Sequence, residues 1–231
     1  MWTGYLFLSI ILLLATGCRL FEMPKDGEPR RGSGAEFDDE LDPITSPLHG
    51  VTLCSSDGPC ETPDRRARGT LQNGQPEGDW TLFGPRGVRV GSGVMKSGKA
   101  HGLWKRWSAG GTLIEEGRWL HGKPHGVWRM YRSDGQLFEE LTFVDGLRDG
   151  PWTMLHPNGQ IAEHMVWAKG KQIGLQTDYS AAGVRLARGQ FEDHRPVGEW
   201  VCWDSSGKQR TVPAPTSRLT PAEVCGHANM D

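Results

Sequence analysis

The residues with the most obvious capacity for chemistry are histidines, paired carboxylates and cysteines. His121 and His125 lie four apart in one stretch, a spacing at which two imidazoles could chelate a metal weakly. Glu115-Glu116 and Glu139-Glu140 are adjacent carboxylates, and Glu163 heads a third pair with His164 in second place. Paired carboxylates can do acid–base work. Cys54 and Cys60 flank Ser55-Ser56-Asp57-Gly58-Pro59, a span that turns easily, while Cys202 and Cys225 lie near the C-terminus. Cys18 stands apart, directly after an apolar run.

The position of these residues removes most of the chemistry. The chain from Gly69 to Val212 is six gapless blocks of 24 residues. Gly78, Gly102, Gly126, Gly150, Gly174 and Gly198 share one column, and Gly87, Gly111, Gly135, Gly159, Gly183 and Gly207 another. Trp80, Trp104, Trp128, Trp152, Gln176 and Trp200 form a third. Phe83, Trp107, Tyr131, Leu155, Tyr179 and Trp203 follow three residues later, and Leu71, Met95, Trp119, Phe143, Trp167 and Phe191 make a bulky apolar column. His101 and His125 share a column with Glu77 and Asp149, and the carboxylate pairs also recur with the period. Ligands one repeat apart would be about 10 Å from each other, too far to meet on one ion. Exposed turn positions for the histidines, and cross-strand partners for Lys105, Arg129 and Arg132 in the carboxylates, are the expected roles. Neither a metal site nor a cofactor is predicted, and with no G-x-S-x-G and no phosphate loop the chain reads as non-catalytic.

Each block has two turn signals, such as Asn73-Gly74 and Pro157-Asn158-Gly159, separated by stretches rich in Trp, Tyr, Phe, Val and Thr. That pattern predicts two antiparallel strands per repeat and about a dozen in all. The composition agrees: 32 Gly and 10 Trp in 231 residues, of which 24 Gly and 9 Trp fall in the repeats. A net charge of −2 argues against a nucleic-acid binder. The fold class expected is all-β, an antiparallel meander of about six β-hairpin repeats with a short C-terminal helix or cap. Trp128 and Tyr131 are three apart, so either both faces carry aromatics or a bulge intervenes. Glycines would form the turns and let rings lie flat on neighbouring backbone.

The motif G-x-W-x-x-Y/F/W-x-x-x-G resembles the MORN-repeat variant family in its bacterial form of 22 to 24 residues, some members of which are described as antitoxin-like. The resemblance implies an elongated single-layer antiparallel sheet that serves as a scaffold or interaction surface. The fourth and fifth copies depart, with Leu141 and Met165 at the leading glycine and Gln176 at the tryptophan, and the sheet is expected to be least regular there.

Around the repeats, Leu6 to Ala15 is too short to span a bilayer. With Ala15-Thr16-Gly17-Cys18 it resembles the signal and lipobox of bacterial lipoproteins. This implies a signal peptide over 1–17, a lipid anchor at Cys18 and an outer-membrane destination, periplasmic or surface-facing. Residues 18–50 read as a disordered acidic tether. Residues 51–68 are an N-terminal cap and 213–231 a C-terminal capping tail, in which Thr220-Pro221-Ala222-Glu223 is a helix-start signature. In an oxidising compartment the four remaining cysteines are expected to pair as Cys54–Cys60 and Cys202–Cys225, with zinc at Cys225 and His227 the lesser alternative. The expected contact surface comprises Trp80, Trp104, Trp107, Trp119, Trp128, Tyr131, Trp152, Trp167, Tyr179, Trp200 and Trp203, together with basic side chains. The partner is expected to be a protein; a cognate toxin bound by an antitoxin-like inhibitor, or a glycan, are the rivals.

Overall fold

Asn73-Gly74, Ser97-Gly98, His121-Gly122, Asp145-Gly146 and Lys169-Gly170 all have positive φ at both residues. This is the backbone of a two-residue hairpin turn whose twist matches the strands it joins. Repeated along the chain, these turns produce one antiparallel sheet in strict sequence order. The computed structural model describes residues 48, 54–215 and 224–226. Cys18, the signal segment, most of the tether and most of the C-terminal tail lie outside the described residues.

The strands are β1 (Gly58–Glu61), β2 (Ala67–Gln72), β3 (Gln75–Phe83), β4 (Arg89–Lys96), β5 (Lys99–Trp107), β6 (Leu113–Leu120) and β7 (Lys123–Tyr131). They continue as β8 (Leu137–Val144), β9 (Leu147–Leu155), β10 (Ile161–Ala168), β11 (Lys171–Tyr179), β12 (Arg185–Glu192), β13 (Arg195–Trp203) and β14 (Gln209–Pro213). Thirteen strands, β2 to β14, fall in the repeats, close to the dozen expected, and β1 comes from the N-terminal cap. Thirteen strand intervals of about 4.8 Å make the sheet roughly 60 Å across.

Every repeat carries the same interruption. Gly117 faces Trp128, but the next pair is Arg118 with His125, so β7 holds two residues, Gly126 and Val127, without partners on β6. The same two-residue slip recurs in the hairpins β2/β3, β4/β5, β8/β9, β10/β11 and β12/β13. Gly126 sits in it at φ 76°, a conformation that strongly favours glycine. Two extra residues leave the alternation of faces unchanged. Both faces therefore carry aromatics: Trp128 is buried on one, and Tyr131 is half-buried on the other.

The buried face is the core. Trp80, Trp128 and Trp200 are the largest fully buried side chains. Each indole lies flat over the leading glycine of its own repeat. A Cβ at Gly69, Gly93, Gly117 or Gly189 would come within 2.3 Å of the ring of Trp80, Trp104, Trp128 or Trp200. Between these rings stand the bulky apolar residues, edge to face: Trp119–Trp128 at 5.5 Å, Trp128–Phe143 at 5.8 Å and Phe191–Trp200 at 5.3 Å. Two aromatic columns interleave, so a one-layer sheet makes a packed surface from its own side chains.

Irregularity in copies four and five is not observed. Leu141 faces Trp152 in the place of the usual Gly–Trp pair, and the hairpin slip is kept. Leu141 itself is buried, and Trp152 is displaced to a half-buried position where its indole N–H reaches the Glu139 carboxylate at 2.5 Å. In copy five Met165 is buried where glycine stood, and Gln176 replaces the indole. The side chain moves from one strand to its neighbour, and the volume on the face stays filled.

Both expected disulfides are present, Cys54–Cys60 and Cys202–Cys225. The second leaves no thiolate at Cys225 for zinc. Of the capping helix, only Val224, Cys225 and Gly226 are described. Leu48, read from sequence as part of the acidic tether, is buried in the same cluster as Cys60, Leu71 and Trp80. Its apolar side chain is part of the packed core.

Candidate interaction surface

Of the column that holds His101 and His125 with Glu77 and Asp149, three members accept from turn N–H groups. The Glu77 carboxylate accepts the Ser97 N–H at 2.7 Å, and Asp149 accepts that of Lys169 at 3.3 Å. His125 Nδ1 faces the Asp145 N–H at 3.5 Å. Asp57, one period earlier in space, accepts from Asn73 and Gly74. Each acceptor thereby fixes the turn of the next repeat. A second ladder runs beside it: the N–H groups of Gly98, Gly122, Gly146 and Gly170 donate to the carbonyls of Pro76, Ala100, Pro124 and Arg148. His121 is an exposed turn residue at φ 52°, whereas His125 lies half-buried in β7. Among the described residues no group of three His, Cys, Asp or Glu side chains could hold a metal ion.

The paired carboxylates divide between the faces. On the packed face Glu115 opposes Met130, which in turn opposes Glu139. Burial pushes both carboxyls above the ordinary glutamate range. Arg106, 3.1 Å from Glu115, opposes the first shift; the Trp152 hydrogen bond and the Arg148 charge oppose the second. On the other face, Glu116 meets Lys105 at 3.1 Å and Glu140 meets Arg129 at 2.8 Å, as expected for cross-strand partners. Arg132 instead donates to the Leu155 carbonyl. Burial would raise Glu116 too, but hydrogen bonds from Tyr131 and Lys105 outweigh it and hold that carboxyl low. Burial, followed by the same bond to Glu116, pushes the Tyr131 phenol up to about 12.

Most of the aromatic residues expected to form the contact surface are not on the surface. Trp80, Trp104, Trp119, Trp128, Trp167, Trp200 and Trp203 are buried. A single-layer sheet must shield its backbone somewhere, and Trp80, Trp104, Trp128 and Trp200 do that by lying on glycine; Trp203 is buried on the other face, beneath the Arg185 guanidinium. Trp107, Tyr131, Trp152 and Tyr179 remain half-buried. Trp107, Tyr131 and Tyr179 occupy the open face, where Arg89 stacks over Trp107 at 4.2 Å.

What the open face does expose are aliphatic side chains from the slipped segment of three of the hairpins. Leu103, Val127 and Leu175 are 45%, 42% and 41% exposed. They occupy the position between the slip glycine and the tryptophan column, so their row follows the repeat. Beside them runs the charged ladder of Lys105, Glu116, Arg129 and Glu140. The position was visible in the repeat but carried only Asp79, Leu103, Val127, Pro151, Leu175 and Glu199, too mixed to stand out before the faces were known.

Residues 124–145 match the model of the MORN repeat variant. That stretch holds the third copy's Gly126, Trp128 and Tyr131, the motif on which the resemblance was drawn. Comparison with curated proteins gives no match. Among solved structures the chain is similar to a mutant of S. aureus TarM in complex with fondaparinux, α-GlcNAc-glycerol and UDP. The identity is 13%, covering 42% of this chain and 19% of that one, with a TM-score of 0.30. A GtfA/B complex bound to UDP and GlcNAc matches at 15% identity over 41% of this chain and 23% of that one, with a TM-score of 0.25. The chain spans about a fifth of the length of these solved chains. Likenesses at these scores carry no argument about fold or function.

Proposed function

We propose that this chain is a non-catalytic scaffold of the bacterial cell envelope, anchored through Cys18, whose open sheet face binds a protein partner. The observation that carries the reading is the asymmetry of the sheet. One face is sealed by indoles over glycine; the other leaves Leu103, Val127 and Leu175 in water beside a ladder of paired charges. Apolar residues recurring at one repeat position, rimmed by charge, match the composition of protein contact surfaces. Two disulfides fit an oxidising compartment, as does the apolar run ending at Cys18. No helix among the described residues is long and apolar enough to cross a membrane. A glycan-binding reading draws less support, because seven of the nine repeat tryptophans are buried and cannot serve as sugar platforms.

The triple variant Leu103→Glu, Val127→Glu, Leu175→Glu tests the surface by affinity capture from envelope membranes. Partner capture is expected to fall at least tenfold with the circular dichroism spectrum unchanged; equal capture would overturn the assignment. Cys18→Ala is expected to shift the chain from the membrane to the soluble fraction, and continued membrane fractionation would refute the anchor.

A further inference from the structure

The ladder of opposite charges on the open face, Lys105 with Glu116 and Arg129 with Glu140, is confined to the second and third copies. At the position held by Glu116 and Glu140 in the second and third copies stand His164 and Arg188. The fifth copy has four basic residues, Lys169, Lys171, Arg185 and Arg188, against one acidic residue, Asp178. That excess of three equals the excess of the whole array, 18 basic against 15 acidic over 69–212. Asp178 does not offset it on the open face, since it is buried on the packed side, where its carboxylate accepts from Gln176. Lys171 is matched by Asp193 of the next copy. Arg185 and Arg188 are exposed, and among the described residues neither has a carboxylate partner.

These two arginines line an open depression of about 470 Å³ on the same face. Thr177 opposes His164 on one side and Arg188 on the other, so a hydroxyl stands between an imidazole and a guanidinium along one row. His164 Nδ1 is held by the Thr153 hydroxyl at 3.1 Å. Tyr179 opposes Arg185 in the next row, and Arg185 also stacks over Trp203 at 5.1 Å, which fixes the direction of its charge. Val166 and Leu175 supply an apolar wall.

We propose that this depression binds a soluble phosphate monoester bearing a small ring or short apolar group. Two uncompensated guanidiniums match a group of charge near −2 better than a single carboxylate. Guanidinium geometry suits phosphate oxygens, the Thr177 hydroxyl adds a donor, and Val166 with Leu175 receives the apolar portion. The site goes beyond the protein-docking reading and does not depend on it.

Isothermal titration of the full chain in detergent with phenyl phosphate, in a buffer free of phosphate, tests it. Saturable one-to-one binding is expected, weakening at least about tenfold in Arg185→Gln/Arg188→Gln and staying unchanged in Lys96→Gln. Benzoate, with the same ring and one charge, is expected to bind several-fold more weakly, and Thr177→Val should reduce affinity without changing the fold. Wild-type affinity in the double arginine variant, equal binding of benzoate, or no saturable binding would each overturn the proposal. Leu175 belongs to both surfaces, so the two readings are separated by Arg185→Gln/Arg188→Gln, which is expected to lose phenyl phosphate and keep partner capture, and by Leu103→Glu/Val127→Glu, which is expected to do the reverse.

Discussion

Gly117 and Trp128 make the contact on which each regular repeat depends. A methyl group at Gly117 would lie 2.1 Å from the indole, so either the ring or the strand must move. Gly117→Ala is therefore expected to destabilise the chain by about 1–3 kcal/mol, the usual cost of overpacking. Denaturant titration checks the magnitude, and near-ultraviolet circular dichroism checks that the indole has shifted. Glu115 and Glu139 add a pH term. Their folded-state carboxyls hold protons more tightly than in the unfolded chain, so ionisation costs stability above the folded-state pKa values and the cost vanishes as pH falls toward the ordinary glutamate value of 4.5. In Glu115→Gln/Glu139→Gln, the stability difference from wild type is expected to shift in favour of wild type between pH 7 and pH 5. Urea midpoints at several pH values measure it, and the opposite slope would contradict the burial of these groups.

At the scale of the element, copies three and five are two solutions to one packing problem. Glycine under tryptophan and methionine beside glutamine fill the same face from different strands. Gly117→Met and Trp128→Gln are each expected to destabilise by roughly 2–4 kcal/mol, from a clash and from a lost ring respectively. Combined, they should cost at least about 1 kcal/mol less than the sum, because the new side chain fills the space the ring leaves. A double-mutant cycle by denaturant titration reads this coupling. The hairpins themselves were legible in sequence: Asn-Gly and Asp-Gly turns set the strands, and the 24-residue period set their number. The two-residue slip was not, because Gly126-Val127 looks like ordinary strand until the partner register of Gly117 and Arg118 is known. The disulfides were legible as spacings, but Leu48 was not, since one leucine among acidic and proline residues has no period to reveal burial. Reduction of Cys202–Cys225, which closes a loop with a sequence separation of 23, is expected to cost about 3 kcal/mol on the chain-entropy account. Comparing thermal stability of Cys202→Ser/Cys225→Ser with wild type checks it.

The whole molecule is an open sheet whose two faces have different work. Repetition alone could not assign aromatics to faces, because the columns at Trp128 and Tyr131 both look like core in one dimension. The physical criterion is the leading glycine: an indole opposite glycine can lie flat and be covered, while an aromatic ring three residues later must stand on the other side. This division turns a list of eleven candidate contact residues into a sealed core and a smaller open surface of Trp107, Tyr131 and Tyr179 with Leu103, Val127 and Leu175. Hydroxyl-radical footprinting of the full chain, read residue by residue by mass spectrometry, tests it most directly. The account predicts strong protection of Trp80, Trp104, Trp128 and Trp200 with ready labelling of Trp107, Tyr131, Tyr179, Leu103 and Leu175. Equal labelling of Trp128 and Trp107, or protection of Leu103 and Leu175 with exposure of Trp128, would contradict it.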